Sequence, residues 1–519
     1  MARRAAAAIV LVAWLAAACT VGPSSRPPVA VRGADLPAAP IPSAAVPPLP
    51  PLQPQHNTLP MGDCTPGTLG GLGVAVPAGR MLRADCGNLT VPLDPDQPVL
   101  GAVTLGVVRV GLADAPGRVP LDTRPPLLVL GDTATDPTAA RAARLAAQVP
   151  DYLLSRYAII GLDRRGTGVD GLDCADPGAR QALVDADPAT LDAAALLEQA
   201  RAVVQACNIA LDGQLNGFSS AAAAADVEVV RQALGVTRLS AMGTGDGAEA
   251  LIVWAKAHPE AVGRLVLDGP PDPTTDEPDR SEAQARSAEA AFDAYALSCR
   301  ARSGCALGND PRATVTTLVN TLRAHPLTDP DGRLLTAGAT VMAIRTSLGE
   351  PATWAALTDA LAAAAAGNPA PLLDQLAPLI GERGRYDAVL ATDCNDVQNR
   401  IAPAQIEDLA KRWRAAYPLF GGSFAADLVA CAPWPTGGDA GAAAVPPGLP
   451  PLAVIGTAAG PRAPVDGSQR VAQSLSSAVY IGWQGAGTGA FPRTMCVNSL
   501  VDNLLVDAAV PETGVVCPP

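Results

Sequence analysis

The chain runs to 519 residues and carries 37 Lys and Arg against 50 Asp and Glu, a formal net charge of −13. That acidity excludes nucleic acid and anionic lipid surfaces as natural partners, since both are recognised through basic patches. The length is enough for one large core with an inserted subdomain.

Arg3 and Arg4 precede an uninterrupted apolar run from Ala5 to Ala18, and Cys19 follows. The run is too short to span a bilayer as a helix, and its positive flank is that of a secretory signal, expected over residues 1–18. Ala16-Ala17-Ala18-Cys19 resembles a bacterial lipobox. Cys19 is therefore the expected lipidation site, holding an exported chain at the outer face of the cell membrane, with plain secretion as the alternative. From 19 to 58 the composition turns to proline, alanine and serine with almost no charge, which predicts a loose tether.

Short β-branched runs then alternate with alanine-rich helical stretches. Strands are predicted at Leu89–Leu93, Val103–Val110, Pro126–Leu130, Tyr157–Leu162, Leu239–Met242, Arg264–Leu267, Leu452–Ile455 and Ala478–Trp483. Helices are predicted at Thr138–Gln148, Ala223–Leu234 and Ala248–His258. This alternation implies an α/β fold, a mostly parallel central sheet flanked by helices. The core is expected over 59–280 and 391–519, interrupted from 281 to 390 by a strand-free, alanine- and leucine-rich stretch that reads as a helical lid.

Setting Cys19 aside, ten cysteines remain: Cys64, Cys86, Cys174, Cys207, Cys299, Cys305, Cys394, Cys431, Cys496 and Cys517. An even number in an exported chain favours disulfides, and taking neighbours in turn closes short loops along the whole sequence. Spacing alone leaves the connectivity open. No CxxC or Cys/His cluster points to a metal, and no cofactor is implied.

The segment Leu239-Ser240-Ala241-Met242-Gly243-Thr244-Gly245-Asp246-Gly247 has the frame of a nucleophile elbow without the nucleophile. In G-x-S-x-G the flanking glycines let a sharp strand-to-helix turn display a serine hydroxyl. Here the displayed residue is Gly245. Shifted by one, the frame offers Asp246 as an alternative nucleophile. Its ester would still need a base to activate water. As a plain structural residue, Asp246 instead suits the start of the following helix, where a carboxylate meets the helix dipole.

Several motifs converge on one family. Asp163-Arg164-Arg165-Gly166-Thr167-Gly168 follows a strand, as does Arg264-Leu265-Val266-Leu267-Asp268-Gly269-Pro270 the elbow helix. Asp393-Cys394-Asn395-Asp396, Cys431-Ala432-Pro433-Trp434-Pro435 and Thr513-Gly514-Val515-Val516-Cys517 complete the set. From Gly62 to Cys517 the chain resembles the actinobacterial tripeptidyl-aminopeptidase-like serine peptidases, α/β-hydrolases related to prolyl aminopeptidases. Active members of that family cleave short peptides from their amino termini with a Ser-Asp-His triad in that chain order.

Carried over position by position, the resemblance puts Gly245 at the serine, Gly460 at the aspartate and Thr488 at the histidine. Its oxyanion loop, G-G-P-G, reads Gly131-Asp132-Thr133-Ala134-Thr135-Asp136 here. The three histidines, His56, His258 and His325, all lie before the last third of the chain, so a histidine after the final strand is impossible under any alignment. The expectation is a catalytically inactive relative. Asp132, Asp136 and Asp246 are expected to line an acidic floor for the ammonium of a short peptide or another cation. A membrane-surface scaffold for protein partners is the other non-enzymatic reading.

Overall fold

The computed structural model describes residues 46–519, except 73, 136–137, 382–383, 398 and 436–447. Cys19, the signal segment and Asp136 therefore lie outside the described residues. Twelve strands occur in chain order: β1 (Gly62–Asp63), β2 (Leu82–Pro92), β3 (Ala102–Leu112), β4 (Pro126–Leu130), β5 (Ala158–Leu162), β6 (Leu239–Thr244), β7 (Val262–Asp268), β8 (Leu327–Thr328), β9 (Leu334–Leu335), β10 (Leu452–Ala459), β11 (Ala478–Ala486) and β12 (Val515–Cys517). All but β8 and β9 join one ten-stranded sheet ordered β1-β2-β3-β5-β4-β6-β7-β10-β11-β12. The β1–β2, β2–β3 and β3–β5 pairs are antiparallel, and every pair from β5 to β12 is parallel. This is the α/β-hydrolase fold.

The strand sequences explain why helices cover both faces. β4 through β7 are buried at every residue, which a strand tolerates only when both of its faces are apolar. Successive side chains alternate between the faces. Leu128 and Leu130 pack with Val227, Leu251 and Trp254 from helices Ser220–Ala233 and Asp246–Ala257. Leu127 and Val129 pack with Ala142, Leu145 and Val497 from helices Thr138–Gln148 and Met495–Asp502.

The lid is larger than the sequence pattern marked out. After β7 the chain is helical from Glu277 to Cys431, broken by the β8–β9 hairpin, which the strand-free expectation missed. Helices Pro403–Ala416 and Gly421–Cys431, assigned from sequence to the returning core, share the lid's apolar cluster through Trp413, Phe420 and Phe424. So do helices Pro177–Asp185 and Ala193–Ala210, which leave the sheet between β5 and β6 and contribute Val184 and Val203. The cap is thus built from two insertions that bury one core, a fact that linear composition does not display.

The tether also ends sooner than its composition suggested. Gln55 is fully buried and donates from its amide to the carbonyls of Leu121 and Arg124, at 3.2 and 2.9 Å. His56 and Thr58 donate backbone N–H groups to Leu234 and Ala233 at 2.9 and 2.8 Å. This proline-rich chain is held by hydrogen bonds and by Leu49 and Leu52, which pack against the core, so residues from Val46 onward belong to the folded unit.

Five disulfides join Cys64–Cys86, Cys174–Cys207, Cys299–Cys305, Cys394–Cys431 and Cys496–Cys517, each cysteine to its neighbour in sequence. Such bonds persist in oxidising compartments. Among the described residues no helix is long and apolar enough to cross a membrane.

Candidate active site

The carboxyl ends of the parallel strands form the edge where α/β sheets place their ligands. β6 ends at Thr244, and Gly245 takes φ 58° and ψ −128° before the elbow helix begins at Asp246. This is the left-handed region, which glycine enters at little cost and other residues enter only under strain. The elbow's frame is close-packed. A Cβ on Gly243 would come 2.6 Å from Ala248 Cα, and one on Gly247 would come 2.5 Å from the Leu130 carbonyl oxygen. Both flanking glycines are required by packing.

Gly245 is glycine for a different reason. A Cβ there would run into the carboxylate of Asp132, with Cγ at 2.8 Å and Oδ2 nearer still. Asp132, 3% exposed, comes from the loop after β4 and fills the volume a serine side chain would take. Its Oδ1 accepts from Ala134 N at 2.9 Å, and its Oδ2 faces Asp246 N at 3.5 Å. Arg462, from the loop after β10, lies 3.2 Å from Asp132 and 3.3 Å from Asp393 of the lid. Burial opposes the charge on Arg462, yet the neighbouring Asp132 and Asp393 hold its pKa above the ordinary arginine value.

The backbone N–H groups beside the elbow also face carboxylates. In an elbow hydrolase the N–H after the nucleophile and an N–H from the facing loop point at the developing negative charge. The first of these here is Asp246 N, which faces Asp132. In the facing loop, Thr133 N donates to both carboxylate oxygens of Asp246, at 3.0 and 3.1 Å. The Asp246 side chain also lies 3.6 Å from Arg164 Nη1, which donates at 3.1 Å to the Asp246 carbonyl. Burial raises the Asp246 pKa to about 7, against the pull of Arg164. Two of the protein's own carboxylates thus sit where an oxyanion would be received.

Gly460 and Thr488, which the resemblance matches to the aspartate and the histidine, both lie just after strands. Gly460 directly follows β10, and its carbonyl accepts from Ser287 Oγ of the lid at 2.7 Å. Thr488 follows β11, is 6% exposed, and donates its N–H to Gly349 of the lid at 2.7 Å. The loop carrying Thr488 is held from below by Asp268 at the end of β7, whose carboxylate accepts from Ala490 N and Phe491 N at 2.8–3.0 Å. Burial raises the Asp268 pKa despite those bonds. Gly460 and Thr488 are thus points where core loops and lid are joined.

No imidazole is near. His56 and His325 are exposed, His258 is half-buried, and none lines a cavity under the lid. Three hydroxyls there have partners: Thr135 donates to the Asp132 carbonyl at 2.8 Å, Thr346 to the Met342 carbonyl at 2.9 Å, and Ser347 faces Gln375 at 3.5 Å. The close group of potential metal donors among the described residues is Cys174, Cys207 and Asp387, and its sulfurs are consumed by a disulfide.

Among the described residues, a larger and a smaller cavity lie beneath the lid. The larger, about 1500 Å³, has apolar walls that include Leu145, Trp354, Leu390 and Trp483, and charges of both signs at Arg141, Glu350 and Asp427. The smaller, about 80 Å³, opens beside Gly245. Asp132 and Asp246 line the smaller one only. The expected acidic floor thus lies off the main cavity, with Asp132 and Asp246 already held by arginines and backbone N–H groups. Sequence reading missed Arg462, which stands two residues after Gly460 where the family motif directs attention to a missing acid.

Known proteins give the following likenesses. The family described as alpha/beta hydrolase fold matches residues 144–358, and the one described as TAP-like protein matches residues 417–517. Serine protease Hip1 of Mycobacterium tuberculosis is 26% identical over 477 residues, covering 86% of this chain and 88% of that protein. Carboxylesterase B of the same organism is 28% identical, covering 84% and 86%. The tripeptidyl aminopeptidase of Streptomyces coelicolor is 22% identical, covering 84% and 83%. The chain is related to these serine peptidases and hydrolases along most of its length.

Proposed function

We propose that this chain is a catalytically inactive relative of the serine aminopeptidases, which holds a ligand between sheet and lid without cleaving it. The observation that carries this reading is the Asp132 carboxylate in the space of the missing serine side chain. Three further features support it: carboxylates against both oxyanion N–H groups, glycine and threonine at the partner positions, and no histidine under the lid. In a triad enzyme the loss of serine or histidine alone costs roughly 10⁶-fold in turnover. The residual ~10³–10⁴ over water rests on the oxyanion hole and binding, and the hole is filled. Asp246 does not replace the serine, because its carboxylate is spent on Thr133 N and Arg164.

The ligand is a short peptide. A cavity of about 1500 Å³ with apolar walls and charges of both signs suits a zwitterion with apolar side chains. It is also larger than the ~300–1,000 Å³ of ordinary small-molecule sites. The same reading takes Cys19 as lipidated, with the cavity displayed outside the cell membrane on a proline-rich tether. Palmitate incorporation that is lost in Cys19→Ala tests the anchor.

Two assays test the function. Purified protein is expected to leave aminoacyl chromogenic substrates at the buffer rate while calorimetry detects binding of di- and tripeptides. Turnover well above blank contradicts the inactive reading, and absence of heat for every peptide contradicts the receptor reading.

A further inference from the structure

The smaller chamber lies on the seam between sheet edge and lid, and carboxylates line both of its walls. Asp132, Asp246 and Glu249 come from the core side, and Glu277, Asp393, Asp396 and Asp427 from the lid side. Arg280, Arg345 and Arg462 are the guanidiniums in the same walls. Most of these acids are spoken for. Asp132 and Asp393 share Arg462, Asp427 lies 2.7 Å from Arg345, and Asp246 bonds to Thr133 N. Asp396 accepts from Ser220 N and Oγ at 2.9 and 2.7 Å.

Glu249 and Glu277 differ. They are 4% and 7% exposed, and among the described residues neither receives a hydrogen bond or a close ion pair. Glu249 stands in the first turn of the elbow helix, and Glu277 opens the first lid helix, Glu277–Ala301. One unpartnered carboxyl group therefore lines each side of the seam. As acids the two groups are neutral and cost little to enclose. As anions they add like charge to a wall that already holds five other carboxylates.

We propose that this chamber is a proton-operated latch: with Glu249 and Glu277 protonated the lid closes on the sheet edge, and their ionisation releases it. The proposal is independent of what the larger cavity holds.

The electrostatics agree with the geometry. Burial pushes Glu249 up to about 8, with Asp396 and Asp246 adding to the shift and Arg280 and Arg164 opposing it. Burial pushes Glu277 up to about 7 against the pull of Arg280 and Arg400, with Asp427 and Asp276 acting the other way. Lys256 on the elbow helix also feels the Glu249 charge. Burial raises Asp396 and Asp427 as well. The closed state therefore keeps protons that a solvated, open state gives up in the ordinary carboxylate range. Closure is fully favoured below that range, weakens as pH rises, and levels off above about pH 8.

Hydrogen exchange read by mass spectrometry at pH 6 and pH 9, corrected for intrinsic rates, tests this on the intact protein. Peptides from Glu277–Ala301 and Tyr386–Asn395 are expected to lose protection by about tenfold or more relative to β6, since each pKa unit of coupling is a factor of ten. The isosteric Glu249→Gln, Glu277→Gln protein is expected to keep its pH 6 protection at pH 9. Exposed Glu198→Gln is expected to behave as wild type. Equal wild-type protection at both pH values overturns the latch. So does an unchanged pH response in the double variant, and single Glu277→Gln gives the same reading if the double variant folds poorly.

Discussion

Two glycine-bearing regions of the site invite comparison: the flanks of the elbow and its tip. Gly243 and Gly247 are glycine because backbone atoms of Ala248 and Leu130 crowd them, so they keep the turn. At Gly245 the crowding atoms belong instead to the side chain of Asp132, from another loop. The flanks are fixed by backbone, whereas the tip is fixed by one side chain and its charge. Close packing therefore holds the turn independently of what the tip presents, since packing and reactivity depend on different atoms.

The largest effect is expected at the carboxylate beside Gly245. Arg462→Leu leaves Asp132 buried without its cation, and removing one partner of such a pair costs roughly 3–5 kcal/mol. Chemical denaturation measures the loss, and a cost below about 1 kcal/mol would mean that Asp132 is held by its backbone bonds alone. Next comes the elbow flank. Gly247→Ala forces a methyl group against the Leu130 and Gly131 carbonyls and is expected to cost about 2–3 kcal/mol. A neutral result would show that the turn relaxes, and that packing does not explain its glycines.

Gly245→Ser is expected to cost about 1–3 kcal/mol through the clash with Asp132 and the positive φ. Asp132→Gly should relieve part of that cost, giving a coupling of about 1 kcal/mol or more in a double-mutant cycle. Independent effects would place the carboxylate elsewhere. The double variant should still not hydrolyse peptides, because Gly460 and Thr488 supply neither acid nor base. The smallest effect is expected from replacing all three histidines by glutamine, within about 0.5 kcal/mol per site. Peptide binding should be unchanged, and any loss would bring a histidine back into the account.

The parts of this molecule that sequence displayed were those repeated along the chain. Pro126–Leu130 and Leu239–Met242 announced buried parallel strands, and the elbow glycines announced the turn before the helix at Asp246. Gly460 and Thr488 were legible as positions just after strands, and the structure places them after β10 and β11. What stayed hidden depends on distant segments meeting. Asp132 reads as a loop carboxylate until Gly245 and Arg462 are placed beside it. Glu249 stands near the start of a predicted helix and Glu277 ahead of the expected lid, and neither place announces that the lid buries both. The second cap insertion, 177–210, fell inside the expected core, 59–280, because apolar spacing does not say what a segment packs against. Gln55 gave no compositional sign that its amide would dock the chain's amino-terminal stretch.

The central claim is that no activated nucleophile survives beneath the lid, and a fluorophosphonate probe reads it directly by intact mass. Beside an active serine-peptidase relative that labels fully, this protein is expected to show no adduct after prolonged exposure. A stoichiometric adduct on any serine, threonine or tyrosine lining the cavity would contradict the account.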